Sequence, residues 1–190
     1  MLAYRVVRWD PSVTEPDRSG HPQYLHRPQL SGRVDNADYY DCWYFGLTPE
    51  AAVGESFADL PKWNEKMFTV PSAPAETRSL ITVEIPDDIN LMDLDDAQNL
   101  VDQGLRPTQV VERRRAVTQE WALKIQQKRT ANGLRWAGIR WWSYHRPHWT
   151  ILALWTEKHA PAPFEIQGTV RLELTDPWVQ SAAKSLGRTL

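Results

Sequence analysis

One cysteine stands in 190 residues. Cys42 therefore has no partner for an internal disulfide and cannot supply a thiolate zinc site. Apolar runs of the roughly 18 residues that a membrane helix needs are missing, and the opening MLAYRVVRWD carries no signal-peptide core. The expectation is a soluble, cytoplasmic protein with no membrane partner. Excess positive charge is lacking too: the formal net charge is -2, which argues against the basic surface of a generic duplex-DNA binder. Neither G-x-G-x-x-G nor G-x-x-x-x-G-K-[ST] occurs, so no Rossmann or P-loop site is signalled. There is no G-x-S-x-G elbow and no Cys–His signature around Cys42, for which a buried, inert thiol is expected. His145 and His148 are separated by a stretch containing Pro147, which opposes a helix, and no third ligand stands nearby. No metal and no prosthetic group are expected.

What is present is globular in composition, with 42% hydrophobic and 24% charged residues, enough for one domain over residues 1–190. Ten Trp against four Phe is unusual. Aromatic faces can stack on planar rings, but filling a core is the favoured role. Leu2–Trp9 reads as an opening strand and 10–30 as a long loop rich in Pro, Gly, Ser and His. Trp43–Leu47 reads as a short aromatic strand. Thr48-Pro49 then predicts a helix start, with the helix running to about Asp59. Ala51, Ala52 and Glu55 share one face of it, small enough to sit close against a sheet and deliver a carboxylate there. Ser79–Ile85 predicts a strand.

From Ile81 to Gln103 there are seven acids and no Lys or Arg, whereas Arg113, Arg114 and Arg115 follow in a row. A solvated surface is the default reading of both blocks, docking the alternative. Val117, Trp121 and Ile125 predict a helix over Thr118–Ala131, with Lys128 and Arg129 in its last turn and Asn132-Gly133 as its stop. Trp136–Trp142, Trp149–Trp155 and Glu165–Leu174 predict strands, the last with Ile166, Val170, Leu172 and Leu174 facing inward. A short helix is expected after Thr175. Helices and strands mix without a βαβ rhythm, so the fold class is α+β.

Polar residues in three segments lack a purely structural explanation. Arg33 follows a glycine in SGRVDN, Tyr44 and Glu55 flank the strand–helix join YFGLTPEAAVGE, and Ser143 ends the strand in RWWSYHRPHW. Singly, they are a surface arginine, an edge-strand aromatic, a solvated helix acid and a strand-end hydroxyl. Together, in this order and spacing, Gly32-Arg33, Tyr44–Glu55 and Ser143 resemble the RES domain family, named for its arginine, glutamate and serine. The opening Tyr4-Arg5-Val6 fits the family's start, and the resemblance runs from about Leu2 to Trp155. Ser31 and Val34 depart from the second glycine and the aromatic that often flank the family's arginine.

The resemblance implies an ADP-ribosyltransferase-like fold, a split mixed or antiparallel sheet with flanking helices around an NAD cleft. It also implies the toxin half of a bacterial toxin–antitoxin pair, with a DNA-binding antitoxin as partner. NAD would be substrate rather than resident cofactor. Carried onto this chain, Glu55 would stabilise an oxocarbenium-like ribose as nicotinamide leaves, Arg33 and Arg5 would pair with the pyrophosphate, Tyr44 would stack on the nicotinamide or ribose, and Ser143 would hydrogen-bond the amide or the ribose. Water or inorganic phosphate would accept the ribosyl group. Two rival readings remain at the level of sequence. One is a protein ADP-ribosyltransferase using NAD, and the other is a non-catalytic RNA- or protein-binding module built on the aromatic, basic stretch RWAGIRWWSYHRPHW. Self-association stays open.

Overall fold

The computed structural model describes every residue except Asn132. Strands β1 (Leu2–Trp9) and β2 (Asp41–Gly46) form where the aromatic and β-branched runs predict them, separated by a long segment without helix or strand. Helix α1 (Pro49–Phe57) starts as its cap predicts. The Thr48 hydroxyl accepts the Ala51 N–H at 3.1 Å, and Pro49 occupies the first turn, where its missing donor has no cost. There follow β3 (Thr77–Glu84), β4 (Leu91–Asp93), α2 (Ala97–Gln103), the short α3 (Pro107–Val110) and α4 (Arg115–Gln126). A small ribbon of β5 (Arg129–Thr130) and β6 (Gly133–Leu134) precedes β7 (Gly138–Trp142), β8 (Thr150–Thr156), β9 (Glu165–Arg171) and α5 (Pro177–Leu186).

Seven strands join one sheet in the order β4-β7-β8-β2-β1-β3-β9, antiparallel except for β4 against β7. The expected α+β class with a mixed sheet is the one observed. The sheet is split at its middle. β2 pairs with β8 from Asp41↔Thr156 to Gly46↔Ile151, and β1 pairs with β3 along its whole length, but β1 and β2 meet at Tyr4↔Gly46 alone. Beyond that point the inner edge of β2 still needs hydrogen-bond partners. The loop before it supplies one: the Gln29 carboxamide accepts the Cys42 N–H at 2.7 Å and donates to the Cys42 carbonyl at 2.6 Å, as a neighbouring strand would. Arg27 on Asp41 (2.7 Å) and Ser19 on Glu76 (2.7 Å) fasten the same loop.

Apolar side chains fill both faces of the sheet. One cluster gathers α1, α4 and α5 over Trp141, Ile151 and Trp155; the other packs Trp43, Phe45, Ile81 and Leu152 around Phe164. Six of the ten tryptophans (Trp43, Trp63, Trp121, Trp141, Trp149 and Trp155) are buried, so the core reading of the tryptophan content holds. Cys42 is fully buried, and burial pushes its thiol well above the ordinary value.

Helix α1 also makes a close approach at Gly54, which lies outside the predicted small face: an added Cβ there would lie 2.2 Å from the Trp149 ring. Glu50, one turn earlier, fixes the same contact. Its carboxylate accepts Trp149 Nε1 at 3.1 Å and the hydroxyls of Ser185 (2.6 Å) and Ser181 (2.8 Å), tying α1 to both the β8 start and α5.

Three expectations are corrected. Helix α4 ends at Gln126 rather than Ala131, because the chain turns into the β5–β6 ribbon; Arg129 then donates to the Gln126 carbonyl at 2.7 Å from beyond the helix. Of the predicted stop, Gly133 lies in β6, and Asn132 falls outside the described residues. In β9 the pairing slips between Thr82↔Gly168 and Val83↔Ile166, so Gln167 is an extra residue and the alternation breaks; Val170 ends up 47% exposed instead of inward. The acidic block docks in part, since Asp93 pairs with Arg140 and Asp96 caps α2. Among the described residues no helix is long and apolar enough to cross a membrane.

Burial pushes the Glu50 carboxyl up, but its three hydrogen bonds outweigh that and hold it below the ordinary 4.5. Its stabilisation is therefore fully present above pH 4.5 and is lost as pH falls through the lower folded value. Glu50→Gln should lower the thermal midpoint at pH 7, and the gap to the parent protein should close as pH drops below 4.5, followed by circular dichroism melts across pH.

Candidate active site

The Gly-Arg turn is shaped by a buried acid. Asp35 accepts the Gly32 N–H at 2.6 Å through one oxygen and the Tyr44 hydroxyl at 2.6 Å through the other, while the Val34 N–H donates to the Tyr44 oxygen at 3.0 Å. A Cβ on residue 32 would stand 2.4 Å from both the Asp35 carboxylate and the Tyr44 oxygen, so only glycine closes this turn. Helix α4 braces it from the other side. Thr118 donates to the Arg33 carbonyl at 2.6 Å, Arg115 to that of Ser31 at 3.0 Å and Gln119 to that of Gly32 at 3.0 Å. Arg33 is thereby aimed inward, and its Nη1 donates to the carbonyls of Glu112 (2.6 Å) and Val110 (3.1 Å). Burial and nearby Arg115 lower its pKa, with Glu55 and Tyr44 acting against them; an arginine so placed stays charged at neutral pH.

Arg5 arrives by a different route. Tyr4 and Val6 on either side of it pack into the cluster beneath α1, whereas the Arg5 guanidinium lies 5.5 Å from the Trp43 ring, a member of the opposite cluster. The split between β1 and β2 lets it reach the cavity all the same. Its Nη1 is buried and has no hydrogen-bond partner. Burial lowers its pKa, opposed by Cys42, Tyr44 and Asp35.

Glu55 projects from the last turn of α1, its carboxylate accepting the Ser143 hydroxyl proton. Ser143 is buried at the end of β7. Its oxygen accepts the N–H groups of His145 (2.9 Å) and Arg146 (3.2 Å), so one hydroxyl both closes the β7–β8 turn and orients Glu55.

These groups surround one cavity of about 360 Å³, within the ~300–1,000 Å³ span of small-molecule sites. Arg5, Arg33, Tyr44 and Glu55 form its walls; Ser143 stands behind Glu55 and is not a wall. Tyr44 presents its ring, lying edge-on to Trp141, while its hydroxyl is engaged with Asp35 and pushed well above its ordinary pKa, chiefly by burial.

Arg113, Arg115, Tyr144 and His145 also line the cavity; Tyr144 was not singled out from sequence, and His145 was weighed there only as a metal ligand. The arginine run was visible there, but only as charge. Asp35 lay inside the quoted SGRVDN segment, yet nothing in the chain order shows that it meets Tyr44.

A family model for the RES domain matches residues 3–175. The chain belongs to the RES domain family. No curated protein matches this RES sequence. Among solved structures, the crystal structure of the M. tuberculosis MbcT–MbcA toxin–antitoxin complex contains a chain that is 15% identical to this RES protein. The match covers 96% of this chain and 88% of that one with a TM-score of 0.57, a likeness of fold.

Replacing Tyr44 by Phe in this RES protein strips one donor from Asp35 and the acceptor from the Val34 N–H. The expected loss is ~1–3 kcal/mol, because both groups are left short of a partner in a part-buried site. Urea unfolding of Tyr44→Phe measures it.

Proposed function

We propose that the protein degrades NAD by cleaving the bond between nicotinamide and ribose, and that it serves as the toxin of a toxin–antitoxin pair. The observation that carries this reading is Arg5. Arg5 lines the same cavity as Arg33 and has a guanidinium nitrogen that no protein group accepts from, so the paired cations suit an anionic ligand, and Glu55 lines the cavity too. A dinucleotide with an anionic pyrophosphate and a cationic pyridinium suits both signs. The net charge of -2 is no obstacle, because the local field governs binding.

In the reaction the C1′–N bond breaks with its electron pair going to the pyridinium nitrogen, so nicotinamide leaves neutral and needs no acid. The ribose turns oxocarbenium-like, and the Glu55 carboxylate, held by Ser143, stabilises that positive charge. Water or inorganic phosphate then adds through oxygen to C1′ and gives up its proton to Glu55 or solvent. Ser143 acts in this scheme through Glu55 as a positioning residue. The similar fold crystallised in a toxin–antitoxin complex supports the toxin role and an antitoxin as partner.

Purified protein incubated with NAD, with and without phosphate, should release nicotinamide. Folded protein that leaves NAD intact under both conditions refutes the reading. Glu55→Gln should lower turnover by about 10²–10³-fold, the cost of removing one preorganised electrostatic group, with little change in the melting curve because Glu55 is exposed.

A further inference from the structure

Tyr144 follows Ser143 and lines the cavity while remaining 45% exposed, although its neighbour in sequence is fully committed to Glu55. The turn that carries it is fixed by the two N–H groups on Ser143, and the His145 ring stands edge-on to Tyr144 at 5.4 Å. One face of the Tyr144 ring is covered by the guanidinium of Arg113, whose centre lies 5.4 Å from the ring centroid; Arg113 also lines the cavity. A planar cation thus already rests on this ring at the cavity wall, and the residue before Tyr144 hydrogen-bonds Glu55. Such contacts depend on the charge of the partner as well as on its flatness.

The geometry points to Tyr144 as a specificity-determining residue that selects a cationic ring. The pyridinium of oxidised NAD takes the place of the Arg113 guanidinium on its face, and Arg113, released, turns to the phosphates. This inference rests on the NAD reading for the identity of the ring. Oxidised NAD carries the positive ring, whereas reduced NAD and free nicotinamide are neutral. The same face that holds the substrate therefore holds the reduced dinucleotide poorly and lets the product go.

The test uses two small probes on the intact chain, 1-methylnicotinamide as the planar cation and nicotinamide as its neutral counterpart, with affinities from ligand-observed NMR titration. The cation should bind about 3- to 10-fold more tightly than the neutral ring. Tyr144→Phe should keep that preference and Tyr144→Leu should reduce it to the part that the Glu55 carboxylate supplies, while Arg113→Met should strengthen cation binding only where Tyr144 is present. Equal affinity for the two probes, or a preference undiminished in Tyr144→Leu, overturns the inference. An NAD consumption assay on the same preparation separates the two ideas. Cation preference with intact NAD sinks the enzymatic reading alone, and NAD loss without cation preference sinks the role of Tyr144 alone.

Discussion

The structure depends on a sheet that is not continuous. Between β1 and β2 the pairing is reduced to Tyr4↔Gly46, so two well-paired ladders diverge from a single contact. The gap has two effects. It leaves backbone groups of β2 in need of partners, which the Gln29 carboxamide supplies at Cys42. It also opens a passage by which a side chain from the opposite face, Arg5, comes to the cavity. Without the gap, the site would contain its carboxylate and one fewer guanidinium.

Around the gap, the charged groups that line the cavity are held by fixed hydrogen bonds. Arg33 is aimed by backbone carbonyls and by a turn braced through Asp35 and Tyr44, and Glu55 is oriented by a serine whose oxygen is already fixed by two N–H groups. Such second-layer contacts matter because electrostatic stabilisation costs least when the charges need no rearrangement as the reaction proceeds. Glu50, Gly54 and Trp149 perform the same service at longer range, locking α1 against the hairpin that bears Ser143.

The readable parts of this protein were those with local signals. Strands β1 and β2 and helix α1 follow from alternation, an N-cap and a proline, and those elements carry Arg5, Tyr44 and Glu55. Features set by distant contacts were not legible. The end of α4 is decided by the β5–β6 ribbon, the face of Val170 by a bulge opposite Thr82, and the roles of Asp35 and Arg113 by neighbours far along the chain. Ser143 shows the limit from the other direction. Its position was visible as a strand end, whereas its service to Glu55 rather than to the cavity required the third dimension.

Gln29 carries a consequence for how this architecture can diversify. A side-chain amide, unlike a strand, can be exchanged by one codon, and the loop that delivers it is fastened at several other points. The aperture of the cleft can therefore be tuned by altering that residue or the length of its loop, while both hydrogen-bonded ladders, and the helix that bears the carboxylate, stay untouched.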